Sequence, residues 1–355
     1  METKIWTIEE GSNLREQLGD AANELRAGSL VAFPTETVYG LGANAQDMYA
    51  VEQIFQAKER PDDNPLIVHI AAREDVDSIA YVTYDTEERL MRMFWPGPLT
   101  LVLRARPGAV VPRVTAGLDT VAVRIPANPI ARELIALAGV PVAAPSANRS
   151  GRPSPTRAQH VRDDLWGRIK GIVDGGATAV GLESTVVRVD SARAVHVLRP
   201  GAVTAEQLRA AGFAVASEAA PAAASATPAS APRSPGVKYT HYAPRGRLCV
   251  VAGAADAVRG YIHERVAMDA ALAKRTAVLA FADQGALAPW RADLVIALAE
   301  RGDIAAAAQQ LYAALRTCDD HDIASIYTEA VEPIGLGEAY MNRLHKAAAD
   351  QIIHL

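Results

Sequence analysis

The stretch Leu30-Val31-Ala32-Phe33-Pro34-Thr35-Glu36-Thr37-Val38-Tyr39-Gly40-Leu41-Gly42 carries the reading of the first two hundred residues. An apolar run of strand length meets a proline, which withholds a backbone donor and stops the strand. Hydroxyls, one acid and two glycines follow. The glycines permit a tight turn that lets Thr35, Thr37 and Tyr39 face a cavity, where a hydroxyl binds a polar substrate without charge. The same residues also read as a plain strand-to-helix connection with threonine as a cap.

Working outward, the pattern recurs. Short apolar runs at Leu30–Phe33, Pro65–Ile70, Leu99–Leu103, Val121–Ile125 and Val140–Ala144 alternate with helical patterns such as Asn13–Arg26 and Ala50–Lys58. Mixed α/β is the expectation, with function in the Pro-, Gly-, Ser- and Asn-rich loops where runs end. Residues 214–233, AVASEAAPAAASATPASAPR, hold almost no large apolar side chain and read as a linker. Beyond it, runs at Leu248–Ala252, Thr276–Ala280, Leu294–Leu298 and Ile323–Tyr327 alternate with helices at Ala254–Ala273, Ile304–Thr317 and Gly337–Asp350. That alternation predicts parallel strands with crossover helices, a small doubly wound sheet.

Half of the 355 residues are apolar, enough for two domains, and the net charge of -5 offers no bulk attraction to nucleic acid or membrane. Charge is uneven: residues 1–100 hold 8 Lys/Arg against 18 Asp/Glu, residues 101–200 hold 14 against 7. The second hundred therefore suits a local anion site, or an unevenly charged surface. Cys249 and Cys318 support neither a disulfide framework nor a zinc site. The N-terminus lacks signal-peptide features, and no apolar run approaches the ~20 residues that span a bilayer, so a cytoplasmic protein without a membrane is expected.

Neither a Walker loop nor a strand-linked GxGxxG is present, so a nucleotide would be held by scattered basic and hydroxyl groups. Lys58 and Arg60 sit where a helical pattern breaks at Pro61. A point charge and a fork two residues apart suit a polyphosphate, although cations there also simply complement the helix dipole. The loop from Ala144 to Thr156, APSANRSGRPSPT, adds Ser, Asn and Arg donors after the run Val140–Ala144.

PTETVYGLG, Lys58-x-Arg60, FWPGPLT at 94–100, Ser146-x-Asn148 and LESTVV at 182–187 together resemble YrdC-like domains. SPGVKYTHYAP at 234–244 and GLGEAYMNRLHKAA at 335–348 resemble the second half of the long, two-domain threonylcarbamoyl-AMP synthases. The resemblance implies a YrdC-like twisted mixed sheet with helices around a concave cavity over 10–205. It further implies a linker over 206–244 with an active-site lid at 234–244, and a smaller Rossmann-like doubly wound domain over 245–355.

It also implies the reaction: ATP, L-threonine and bicarbonate give threonylcarbamoyl-AMP and pyrophosphate. This is the first step toward threonylcarbamoyladenosine at position 37 of tRNAs reading ANN codons. Thr37, His69, Arg124, Ala144 through its backbone, and Ser184 fall at the family's threonine positions. Arg60, Asn64, Thr120, Ser146, Asn148, Ser154 and Arg199 fall at its ATP positions, joined by the lid residues Lys238, Tyr239, His241 and Tyr242. Lys58 and Arg60 are the candidate catalytic cations. Magnesium is expected with ATP, with neither a dedicated metal site nor a tightly bound organic cofactor. Proteins that transfer the threonylcarbamoyl group to tRNA are the expected partners, with weak or no direct tRNA binding.

Two other readings compete. A non-catalytic RNA-binding module needs no threonine-sized hydroxyl pocket. A carbamoyl-transferring maturation enzyme usually carries acylphosphatase and zinc-finger modules, and neither appears here.

Overall fold

The computed structural model describes residues 2–9, 11, 13–61, 64–191, 193–216, 242–283, 289–349 and 351–355. Most of the expected linker and lid, including Lys238, Tyr239 and His241, lies outside the described residues. Two compact units form: Met1–Ser150, Pro155–Ala179 and Glu183–Tyr239 make the first; Gly151–Ser154, Val180–Leu182 and Thr240–Leu355 make the second.

In the first unit the strands are β1 (Lys4–Thr7), β2 (Val31–Phe33), β3 (Gly40–Asn44), β4 (Ile67–His69), β5 (Ala80–Tyr81), β6 (Leu99–Ala105), β7 (Thr120–Arg124), β8 (Val142–Ala143), β9 (Gly171–Asp174), β10 (Thr185–Val189), β11 (Val195–Arg199) and β12 (Val215–Ala216). The helices are α1 (Leu14–Arg26), α2 (Met48–Lys58), α3 (Val76–Ile79), α4 (Asp85–Phe94), α5 (Pro112–Thr115), α6 (Pro129–Ala138), α7 (Ala158–Leu165) and α8 (Ala205–Ala210). The twelve strands form one mixed sheet in the order β1-β9-β2-β3-β8-β4-β7-β6-β10-β11-β12, with β5 pairing β6.

Local chemistry sets the helix ends. The Asn13 side chain accepts from the Arg15 N–H to start α1, whose Leu18, Ala21, Ala22 and Leu25 recur at helical spacing and are buried. Asp47 caps α2 through the Tyr49 and Ala50 N–H groups, and Glu59 in the left-handed conformation ends it. Asn128 caps α6, Pro129 opens it, and Gly139 at φ 66° closes it. The main core gathers one face of β3, β4, β6 and β7 with α2 and α7, while α1 and α6 pack with Val31, Phe33 and Val142 in a second cluster.

Gly40 and Gly42 depart from the expected turn. Both lie within β3, and neither has positive φ. Gly42 is required by packing: an added Cβ would lie 2.8 Å from Phe33 and 2.9 Å from Val142.

In the second unit β13 (Arg247–Ala252), β14 (Thr276–Ala282), β15 (Leu294–Glu300), β16 (Ser325–Glu329) and β17 (Ile352–His354) form an all-parallel sheet in the order β15-β14-β16-β13-β17. Helices α9 (Ala255–Ala271), α10 (Ile304–Asp320) and α11 (Leu336–Ala347) connect the strands. The order reverses after β15, so right-handed crossovers place α9 on one face and α10 and α11 on the other, a doubly wound arrangement. No helix among the described residues is long and apolar enough to cross a membrane.

Candidate active site

The loop between β2 and β3 is built around Thr35. Its hydroxyl donates to the Val38 carbonyl at 2.7 Å and receives the Thr37 and Val38 N–H groups at 3.1 and 3.3 Å. Thr35 thus shapes the turn. Tyr39 is likewise structural, fully buried with its phenol donating to the Gly176 carbonyl at 2.6 Å. Thr37 alone of the three turns its hydroxyl to a charged group, accepting from Arg124 Nη1 at 3.0 Å.

Arg124 ends β7 and is 3% exposed. Its Nε donates to the Gly97 carbonyl at 3.2 Å, and its Nη2 lies 2.7 Å from Glu36 Oε1. Burial pushes the Glu36 carboxyl upward, but the Arg124 guanidinium and the backbone N–H groups of Ala127 and Glu36 outweigh it and hold the group below the usual range. Glu36 is therefore ionised at neutral pH.

Sheet register assembles the neighbours. His69 pairs with Arg124 across β4 and β7. Leu99, at the start of β6, pairs with Thr185, so Ser184 stands one residue beyond on the same sheet edge. The Ala144 N–H donates to the Ile67 carbonyl at 2.9 Å, setting that backbone beside β4. His69 is buried edge-on to Phe33, with Nδ1 3.2 Å from the Ile67 carbonyl. Burial, then the nearby Arg124 charge, pushes its pKa down to about 3, so the imidazole is neutral. The Ser184 hydroxyl lies 2.8 Å from that of Thr100, and Arg199 donates to the Ser184 carbonyl from Nε at 3.1 Å and from Nη2 at 2.9 Å. Arg199 Nη2 also reaches the Ser184 hydroxyl at 3.2 Å, so a residue expected for ATP directly holds one expected for threonine.

A second cluster forms around Lys58, whose side chain is buried at the end of α2. The ammonium donates to the carbonyls of Ser146 and Asn148, each at 2.5 Å, and the Ser146 hydroxyl donates to Asn148 Oδ1 at 2.6 Å. Lys58 thereby folds the Ser146–Asn148 loop around its charge. The Lys58 carbonyl accepts the Ser150 N–H at 2.9 Å, and Glu59 pairs with Arg149 and Arg168 to brace the same loop from outside. Arg60 Nη2 donates to the carbonyls of Asn64 and Pro65 at 3.3 and 3.2 Å.

Thr120 sits at the far end of β7 from Arg124, on the same face because strand side chains alternate. Ser154 and Tyr242 belong to the second unit. The sequence reading did not single out Glu36, the Gly97 carbonyl or Thr100 for roles at the site. Glu36 carried a signal, as the one acid in an otherwise hydroxyl-rich motif; a carbonyl contact carries none. Gly201 is another: an added Cβ would lie 2.4 Å from the Thr185 nitrogen, so only glycine lets the chain after Arg199 lie flush on the Ser184 backbone. Among the described residues no group of three or more His, Cys, Asp or Glu side chains is placed to hold a metal ion.

A family model described as "Telomere recombination" matches residues 23–201, and one described as "Threonylcarbamoyl-AMP synthase, C-terminal domain" matches residues 203–349. The threonylcarbamoyl-AMP synthase of Bacillus subtilis is 44% identical over 364 residues, covering 99% of this chain and all of that protein. That of Pyrococcus abyssi is 46% identical over 347 residues, covering 96% and 98%. A crystal structure described as P. abyssi Sua5 complexed with L-threonine superposes with a TM-score of 0.90 at 44% identity, covering 99% of this chain and all of that one. Two family models in tandem, and relatives aligned nearly end to end, make this chain a member of the threonylcarbamoyl-AMP synthase family in its long two-domain form.

Proposed function

We propose that the chain condenses L-threonine, bicarbonate and ATP into threonylcarbamoyl-AMP and pyrophosphate, for later transfer of the threonylcarbamoyl group to tRNA. The carrying observation is likeness over 99% of the chain to a synthase of that name, together with a buried constellation of Arg124, Thr37 and Glu36. In this reading the threonine carboxylate meets the Arg124 guanidinium, with Thr37, His69, Ser184 and the Ala144 backbone around it. The threonine ammonium loses a proton to solvent, the resulting amine attacks bicarbonate with loss of water, and a carbamate oxygen attacks the α-phosphorus of ATP as pyrophosphate departs.

Such chemistry needs alignment and charge stabilisation rather than a protein nucleophile. Neutral His69 contributes hydrogen bonding without adding charge. Lys58 and Arg60 lend positive charge to the phosphates, and Lys58 also shapes the Ser146–Asn148 loop that would hold them. Arg199 links the two substrates through Ser184. Magnesium enters with ATP as the counter-ion of its phosphates. The described residues offer no carboxylate cage for it.

Incubation of the full chain with ATP, L-threonine and bicarbonate tests the proposal. Pyrophosphate release should require all three, and release independent of threonine would refute it.

A further inference from the structure

Arg124 is held by three groups of unlike character. Two aligned hydrogen bonds, Nε to the Gly97 carbonyl and Nη1 to the Thr37 hydroxyl, fix the plane of the guanidinium. The third group, Glu36, brings an opposite charge to within 2.7 Å of Nη2. Gly97 and Thr37 therefore set direction, and Glu36 supplies charge. The need for charge is physical: the two side chains are only 4% and 11% exposed, and a guanidinium so deeply desolvated is strongly destabilising without a counter-ion.

We infer that Glu36 is a built-in counter-ion that keeps Arg124 neutralised while the amino-acid site is empty, and that it competes with the substrate carboxylate for the same guanidinium. Glu36 thus sets threonine affinity below what Arg124 alone would provide, stabilising the empty site at the expense of binding. The inference rests on the reading that Arg124 takes the threonine carboxylate. Removing the Glu36 charge while keeping its shape leaves Arg124 oriented by Gly97 and Thr37 but without a counter-ion, and the incoming carboxylate becomes that counter-ion. Two carboxylates on one guanidinium repel each other, and in a poorly solvated site relief of that repulsion is worth about tenfold or more in affinity. A purely positioning residue would act in the opposite direction, since its loss would weaken threonine binding.

The test is calorimetric titration of the full-length wild type and Glu36→Gln with L-threonine and with L-threoninamide, which keeps the amine and side chain but lacks the anionic carboxylate. Wild type should bind threonine better than the amide. In Glu36→Gln the threonine Kd should fall about tenfold, while the Kd for threoninamide stays within about twofold, because no anion relieves the unpaired guanidinium. The ligand-free variant should melt lower than wild type and gain more thermal stability from saturating threonine. An unchanged or raised threonine Kd in Glu36→Gln overturns the inference. Equal wild-type affinity for the two ligands would instead sink the underlying Arg124 reading, and the inference with it. Should Glu36→Gln fail to fold, Glu36→Asp makes the same test, since retreat of the carboxylate by one methylene should tighten threonine binding in the same direction by about threefold.

Discussion

Replacing Lys58 by Met keeps most of the buried stem and removes the ammonium. Two charge-assisted hydrogen bonds, to the Ser146 and Asn148 carbonyls, are lost. Bonds of this kind contribute about 1.5–3 kcal/mol each, or roughly 3–6 kcal/mol together. Relief from holding a desolvated ammonium offsets part of this, leaving a net destabilisation of about 2–4 kcal/mol. With a urea m-value of about 2–3 kcal/mol/M, the unfolding midpoint should drop by about 1 M. Trp6, Trp95 and Trp166 lie in the first unit and Trp290 in the second, so tryptophan fluorescence weighted toward the first unit follows the transition. Loss of loop geometry should raise the KM for ATP more than that for threonine. An unchanged midpoint with activity abolished would refute the structural role and leave Lys58 a phosphate contact alone.

The buried, neutral His69 makes the fold acid-sensitive. Its folded pKa of about 3 lies below the ordinary imidazole value of 6.5, so the unfolded chain binds the extra proton, and stability present above pH 6.5 is lost as pH falls toward 3. At pH 5 the loss is about 2 kcal/mol, and His69→Asn should show a shallower fall in melting temperature between pH 7.5 and 5.0. Arg199→Lys cannot bridge the Ser184 carbonyl and hydroxyl with one planar fork, so the KM for both threonine and ATP should rise, about tenfold, in steady-state assays. Gly201→Ala places a Cβ 2.4 Å from the Thr185 nitrogen and should lower stability by about 1–3 kcal/mol by calorimetry. A variant as stable as wild type would mean that the 183–185 backbone yields freely.

Secondary structure was largely legible because it is written in local periodicity. The runs expected at Leu248–Ala252, Thr276–Ala280 and Leu294–Leu298 fall within β13, β14 and β15, and the pattern Asn13–Arg26 contains α1 with its cap. Strand β3 was not legible. Gly-Leu-Gly has the composition of a turn, and the side chains of Phe33 and Val142 that make glycine necessary there are brought in by pairing with β2 and β8.

Residue types and spacing alone determined that the chain is mixed α/β with a parallel-sheet second half, and singled out a hydroxyl-rich and a basic cluster as candidate functional loops. Only tertiary structure decided what each group does. Thr35 turns inward to build its own loop while Thr37 meets Arg124, Lys58 directs its charge to two carbonyls 88 and 90 residues away in the chain, and Glu36 faces a guanidinium on β7. Periodicity records which face of an element is buried. It does not record which distant backbone or charge will lie against that face, and at this site desolvation makes those long-range neighbours decide both protonation and role.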